Sequence, residues 1–85
     1  MDYQIEFTQK AAKQFRKLPK QEKKRIQTLI NLLAEDQYPR GSKKLSGEDN
    51  LFRVRTGNYR IIYTVFEEKV TVLIVKLGHR REVYR

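Results

Sequence analysis

The sequence contains no cysteine and a single histidine, His79. The first absence excludes a disulfide framework and a thiolate zinc site, and the second excludes a histidine metal cluster. No cross-link of either kind can therefore stabilise a domain whose 85 residues bury only a modest core, which leaves a bound partner as the source of added stability. Long apolar runs are missing as well. None approaches the roughly 18 residues that span a bilayer, and MDYQIEFTQK lacks the basic-then-apolar layout of a signal peptide. Membrane-surface binding is disfavoured too, because the helices described next have apolar faces no wider than a core requires. A soluble cytoplasmic protein is expected. Repeats and low-complexity segments are absent, and the length leaves room for one domain, residues 1–85.

Positive charge is what the chain has in excess: 19 lysines and arginines against 10 aspartates and glutamates, a formal net charge of +9. Polyanions are the expected partners.

DYQIEF alternates, with Tyr3, Ile5 and Phe7 on one side, which is the period of a short strand. Thr8 then offers a helix N-cap, and Ala11, Phe15 and Leu18 fall at i, i+4 and i+7, predicting a helix over residues 9–18. Pro19 closes it, because the residue before a proline is pushed out of the helical region. The same proline opens a second helix over residues 19–36, where Ile26, Leu29, Ile30 and Leu33 recur at helical spacing. The pair forms a helical hairpin. After the breakers Pro39 and Gly41, KKLSGEDN reads as a polar loop. LFRVR, NYRIIYTVF and VTVLIVKL read as three strands, joined by TGN and EEK, links too short for a parallel crossover. The fold class is α+β, in the order β-α-α-β-β-β, with the helical hairpin packed on one face of a small antiparallel sheet that the first strand is expected to join.

Alternation along the strands separates core from surface. Phe52 and Val54 share one side and Arg53 and Arg55 the other; Tyr59, Ile61, Tyr63 and Val65 make the better core set, which leaves Arg60 outward. Arg53, Arg55 and Arg60 thereby converge on one sheet surface. Gly78 is expected to bend the chain after the last strand and return HRREVYR to the same place. A lone exposed arginine reads as a solubility device. Several together repel one another unless a ligand compensates, and the guanidinium fork matches phosphate oxygens, so the cluster favours a phosphate-bearing ligand. Lys10, Lys13 and Lys17 lie on one helical stripe, and Lys20, Lys23 and Lys24 crowd the start of the second helix. These read either as a solvated face or as a surface that attracts a nucleic-acid backbone.

The run from NLFRVRTGNYRIIYTVF to VTVLIVKLGHRREVYR resembles the second half of RelE/ParE superfamily toxins, in its RelE branch. The shared pattern is a basic-x-basic strand, then G-x-Y-R with two hydrophobic residues and Tyr, a hydrophobic strand, and H-R-x-x-V-Y. KKLSG and the helical hairpin agree. The resemblance implies a RelE-like fold and a ribosome-dependent endoribonuclease, an mRNA interferase that cuts mRNA in the ribosomal A site and is held inactive by a cognate antitoxin. It implies no cofactor and no metal, since the substrate's own 2′-hydroxyl attacks the adjacent phosphate. By position, the resemblance gives catalytic roles to Arg53, Arg55, Arg60, Arg80 and Tyr84; the lysines named above, read from their charge, are the candidate RNA- or ribosome-binding surface.

RelE proper has lysines where this chain has Arg53 and Arg55. Arginine does not give up its proton, so a different base is expected, with His79 first, then Glu82 and the Tyr84 phenolate. The other reading of His79 is a strand-end histidine bonded to backbone. Arg81, Glu82 and Arg85 are further candidate supports. Two other functions fit the fold: ParE-like inhibition of DNA gyrase, and a non-catalytic RNA-binding module.

Overall fold

The structure, a computed structural model, describes residues 2–45, 47 and 50–80. Its elements are β1 (Gln4–Phe7), α1 (Gln9–Arg16), α2 (Lys20–Glu35), β2 (Lys43–Lys44), β3 (Phe52–Thr56), β4 (Tyr59–Phe66) and β5 (Thr71–His79), with a 3₁₀ turn at Glu67–Lys69. The strands form one mixed sheet in the order β1-β5-β4-β3-β2. As the short links require, β3, β4 and β5 are antiparallel neighbours. The first strand joins the sheet parallel to β5, which departs from an all-antiparallel expectation. The whole helical hairpin and meander lie between these two strands, so the chain has length enough for a parallel return. A second departure is β2, which pairs Lys43 and Lys44 with β3 inside the segment expected to be loop.

Helix ends follow the backbone bonds. Thr8 caps α1 by accepting the Ala11 N–H on its hydroxyl at 3.0 Å. The helix stops at Arg16, two residues before the expected end, because the Leu18 N–H closes a tight turn onto the Phe15 carbonyl at 3.2 Å. Pro19 is the N-cap of α2 rather than its first helical residue, its carbonyl accepting the Lys23 N–H at 2.8 Å. No helix among the described residues is long and apolar enough to cross a membrane.

Both helices cover one face of the sheet. Ala11, Ile26, Ile30 and Leu33 meet Val54, Ile61, Tyr63, Val72, Ile74 and Leu77, all buried, with Ile5, Phe7, Phe15 and Phe52 packed around them. Each such aliphatic or aromatic side chain contributes about 1.5–3 kcal/mol when fully buried.

One irregularity in β5 sets the face of everything after it. Ile62 pairs with Lys76 but Tyr63 pairs with Ile74, so Val75 is a bulge with no partner on β4. The extra residue lets both Ile74 and Leu77 face the core, although they are three apart. Helix α1 satisfies the backbone groups that the bulge loosens. The Thr8 hydroxyl donates to the Val75 carbonyl at 2.6 Å, and the Leu77 N–H donates to Gln14 Oε1 at 2.9 Å.

Candidate nucleic-acid interface

Directly paired residues on neighbouring strands share a face. Lys43↔Arg53, Arg53↔Ile62 and Ile62↔Lys76 therefore form one row across β2, β3, β4 and β5, and Arg55↔Arg60↔Gly78 form the next. Both rows lie on the side away from the helices, as the strand alternation predicts for Arg53, Arg55 and Arg60. The hairpin between β3 and β4 turns on Gly57 and Asn58 alone, with Gly57 at φ 59°, the glycine-first pattern of a II′ turn. That turn fixes Arg55 directly opposite Arg60. Like charges in this position are unfavourable on their own and build a strong positive potential.

Ile62 lies among these cations yet is 0% exposed. Its neighbours Arg53 and Lys76 across the strands, and Arg60 two residues along, have methylene stems that can cover it while their charged heads reach outward. Arg53 and Arg60 are correspondingly half-buried, and Arg55 is exposed. Arg80 is exposed at the same end of the sheet, its N–H donating to the Asn58 carbonyl at 2.7 Å.

His79 is not brought to this face, contrary to expectation. Gly78 has a φ of 153°, a value L side chains rarely adopt, but β5 continues through it to His79 instead of bending. A straight strand sends successive side chains to opposite faces. His79 pairs with Tyr59 on the helix side, ring edge to ring face at 5.6 Å. There it lines a cavity of about 330 Å³ with Gln14, Lys17, Leu18 and Pro19. Tyr84, Arg81, Glu82 and Arg85 lie outside the described residues.

The lysines occupy the helical layer. Lys10, Lys13, Lys17, Lys20 and Lys24 are exposed, while Lys23 donates to the Arg16 carbonyl at 3.3 Å and lies 5.8 Å from the centre of the Phe15 ring. They face away from the arginine rows, so the fold presents two basic surfaces rather than one. Among the described residues no group of three histidine or carboxylate side chains comes together to hold a metal ion. Sequence reasoning missed two cations of the arginine face, Lys43 and Lys76. Lys76 could have been found as the one charge in VTVLIVKL, at a position where strict alternation with Val72 and Ile74 would have buried it.

Residues 5–84 match the family described as the ParE toxin of the type II toxin–antitoxin system parDE. The chain is 30% identical to the mRNA interferase toxin RelE of Escherichia coli K12 over 89 residues, covering 99% of this chain and 92% of that protein. Its structure matches the toxin in the RelBE2 toxin–antitoxin complex of Mycobacterium tuberculosis with a TM-score of 0.83, at 29% identity, over 94% of this chain and 100% of the other. It also matches the archaeal RelE–RelB complex of Pyrococcus horikoshii with a TM-score of 0.81, at 30% identity, over 96% and 99%. The chain belongs to the ParE/RelE family of type II toxin–antitoxin toxins and is a RelE-like member of it.

Proposed function

We propose that this toxin is an mRNA interferase, a cytoplasmic endoribonuclease that works without a metal on mRNA in the ribosomal A site. The observation that supports this most is the opposition of Arg55 and Arg60 beside Arg53, with Arg80 at the same end of the sheet. In the reaction the 2′-hydroxyl loses its proton and its oxygen bonds to the adjacent phosphorus. The bond from phosphorus to the 5′-oxygen breaks, and that oxygen takes up a proton, leaving a cyclic phosphate and a 5′-hydroxyl. Negative charge grows on the phosphorane-like transition state, and preorganised guanidiniums are most useful there. Arg60 and Arg80 carry that stabilisation, while Arg53 and Arg55 hold the flanking backbone. With His79 on the other face, Glu82 is the leading proton acceptor, and Tyr84 stacks on a splayed base.

The lysine face of the helices is assigned to ribosomal RNA, reached by long-range attraction. A cognate antitoxin would silence the toxin, and the RelE relatives crystallised with RelB support that partner. An acidic or amphipathic segment folding onto the toxin suits its basic face and sheet edges.

The match to the ParE family favours one other reading, inhibition of DNA gyrase. Addition of the purified chain to a translation extract and to a gyrase supercoiling assay separates the two. The interferase reading expects protein synthesis to stop and supercoiling to continue, with Arg60→Ala inert in both assays. Blocked supercoiling with normal synthesis would replace it.

A further inference from the structure

We infer that Lys76 is a substrate-phosphate contact of the arginine face. The inference rests on the interferase reading for its substrate, but its geometry stands independently. Lys76 lies on β5 opposite Ile62 of β4, two residues beyond Ile74, the last residue that β1 pairs. It is half-buried, and among the described residues its side chain has no hydrogen bond or ion pair. A half-buried lysine within an apolar strand loses part of its hydration, and a bound anion restores the lost interactions.

The register places it accurately. Arg53, Ile62 and Lys76 lie side by side on β3, β4 and β5, so Lys76 and Arg53 flank Ile62 two strand spacings apart, about 10 Å. Arg60 is a diagonal neighbour of Lys76, at roughly 7–8 Å between backbones. A phosphate above Ile62 and Arg60 lies within reach of all three cations. The buried isoleucine gives this site a dry floor, and charge–charge attraction is stronger over low-dielectric surface than in open water.

The fold devotes specific bonds to this placement. Without the bulge at Val75, Lys76 would turn towards Ile74 and the core. The bonds from Thr8 to Val75 and from Leu77 to Gln14 hold the strand immediately before and after it. A compact ammonium differs from the neighbouring guanidiniums in having three freely rotating donors, which suits non-bridging oxygens whose orientation changes during reaction.

The test compares the full-length chain carrying Lys76→Met, Lys76→Arg or Lys69→Met with the wild type. The measurements are cleavage of mRNA on programmed ribosomes, affinity of the free protein for a short single-stranded RNA from 50 to 300 mM KCl, and melting temperature. Lys76→Met is expected to lower kcat/KM by 10- to 100-fold, and to reduce the slope of log K against log salt by about 0.7. Lys76→Arg should keep cleavage within about fivefold, and Lys69→Met should match the wild type. Unchanged cleavage and slope in Lys76→Met overturn the inference. So does a loss of cleavage with a lower melting temperature and an unchanged slope, which would make Lys76 a packing residue. If the wild type cuts nothing, the interferase reading falls, and the salt slope alone decides whether Lys76 contacts phosphate.

Discussion

Replacing Thr8 by valine removes one hydroxyl that makes two bonds. That hydroxyl caps α1 by accepting the Ala11 N–H at 3.0 Å, and a lost threonine cap costs about 1 kcal/mol. It also donates to the Val75 carbonyl at 2.6 Å, a part-buried acceptor freed from the ladder by the bulge, and losing that bond costs about another 1 kcal/mol. Valine preserves size and branching, so the sum, about 2 kcal/mol, contains little packing. In a domain of this length each kcal/mol moves the melting temperature by about 4–8 °C, giving an expected fall of roughly 8–16 °C. The assay is urea and thermal unfolding of Thr8→Val against Thr28→Val, whose hydroxyl bonds only the Lys24 carbonyl on an exposed helix face at 3.0 Å. Thr28→Val should change stability by less than about 0.5 kcal/mol, as surface substitutions do. Gln14→Leu removes the acceptor of the Leu77 N–H at the same bulge, and the double variant should depart from additivity by at least about 0.5 kcal/mol. If Thr8→Val is no worse than Thr28→Val, the bulge is not held from α1, and the argument for the orientation of Lys76 and Gly78 loses its mechanical basis.

His79→Ala should leave ribosomal cleavage within about threefold of wild type, with the pH–rate profile unmoved, because the ring packs on Tyr59 behind the sheet; a lost acidic limb would restore it as the base. Burial pushes the Tyr63 phenol up to about 12, while its hydroxyl donates to the Gln37 carbonyl at 2.8 Å. The folded state thus holds this proton more tightly than the unfolded chain, so the contribution is full below pH 10 and is lost between pH 10 and about 12. Urea unfolding across that range should show a steeper decline in the wild type than in Tyr63→Phe, in which Tyr38, raised by burial and by Glu67, still contributes. Replacing Lys10, Lys13 and Lys17 together by glutamine should flatten the salt dependence of ribosome binding and leave the melting temperature within a few degrees; an unchanged slope would make them a solvated face. Tyr84→Phe should retain most cleavage if the ring stacks, whereas a loss as complete as in Tyr84→Ala would require the hydroxyl.

The helical hairpin, the antiparallel meander and the arginine face were legible because they depend on periods of 3.6 and 2 that survive in the residue pattern. Phe52, Val54, Ile61 and Tyr63 fell on the core side as alternation required. Three features depended on contacts distant in sequence, and the pattern could not carry them. The parallel pairing of β1 is chosen by where the hairpin packs, and the short β2 by the reach of a polar loop back to Phe52 and Arg53. The bulge at Val75 is stabilised by Thr8, 67 positions earlier. Reading β5 as a regular strand with a bend at Gly78 put His79 on the arginine face and left Lys76 unexamined. The extended run through Gly78 reverses the first assignment, and the bulge supplies the second.

The most direct measurement is primer extension on mRNA from purified ribosomes programmed with a defined message, before and after addition of the toxin. The arginine-centred account predicts new 5′-hydroxyl ends inside the codon occupying the A site, with the upstream fragment ending in cyclic phosphate. They should be absent without ribosomes and reduced at least 100-fold by Arg60→Ala or Arg80→Ala. Intact message on ribosomes stalled by the toxin, or cleavage that persists undiminished in both variants, would contradict it.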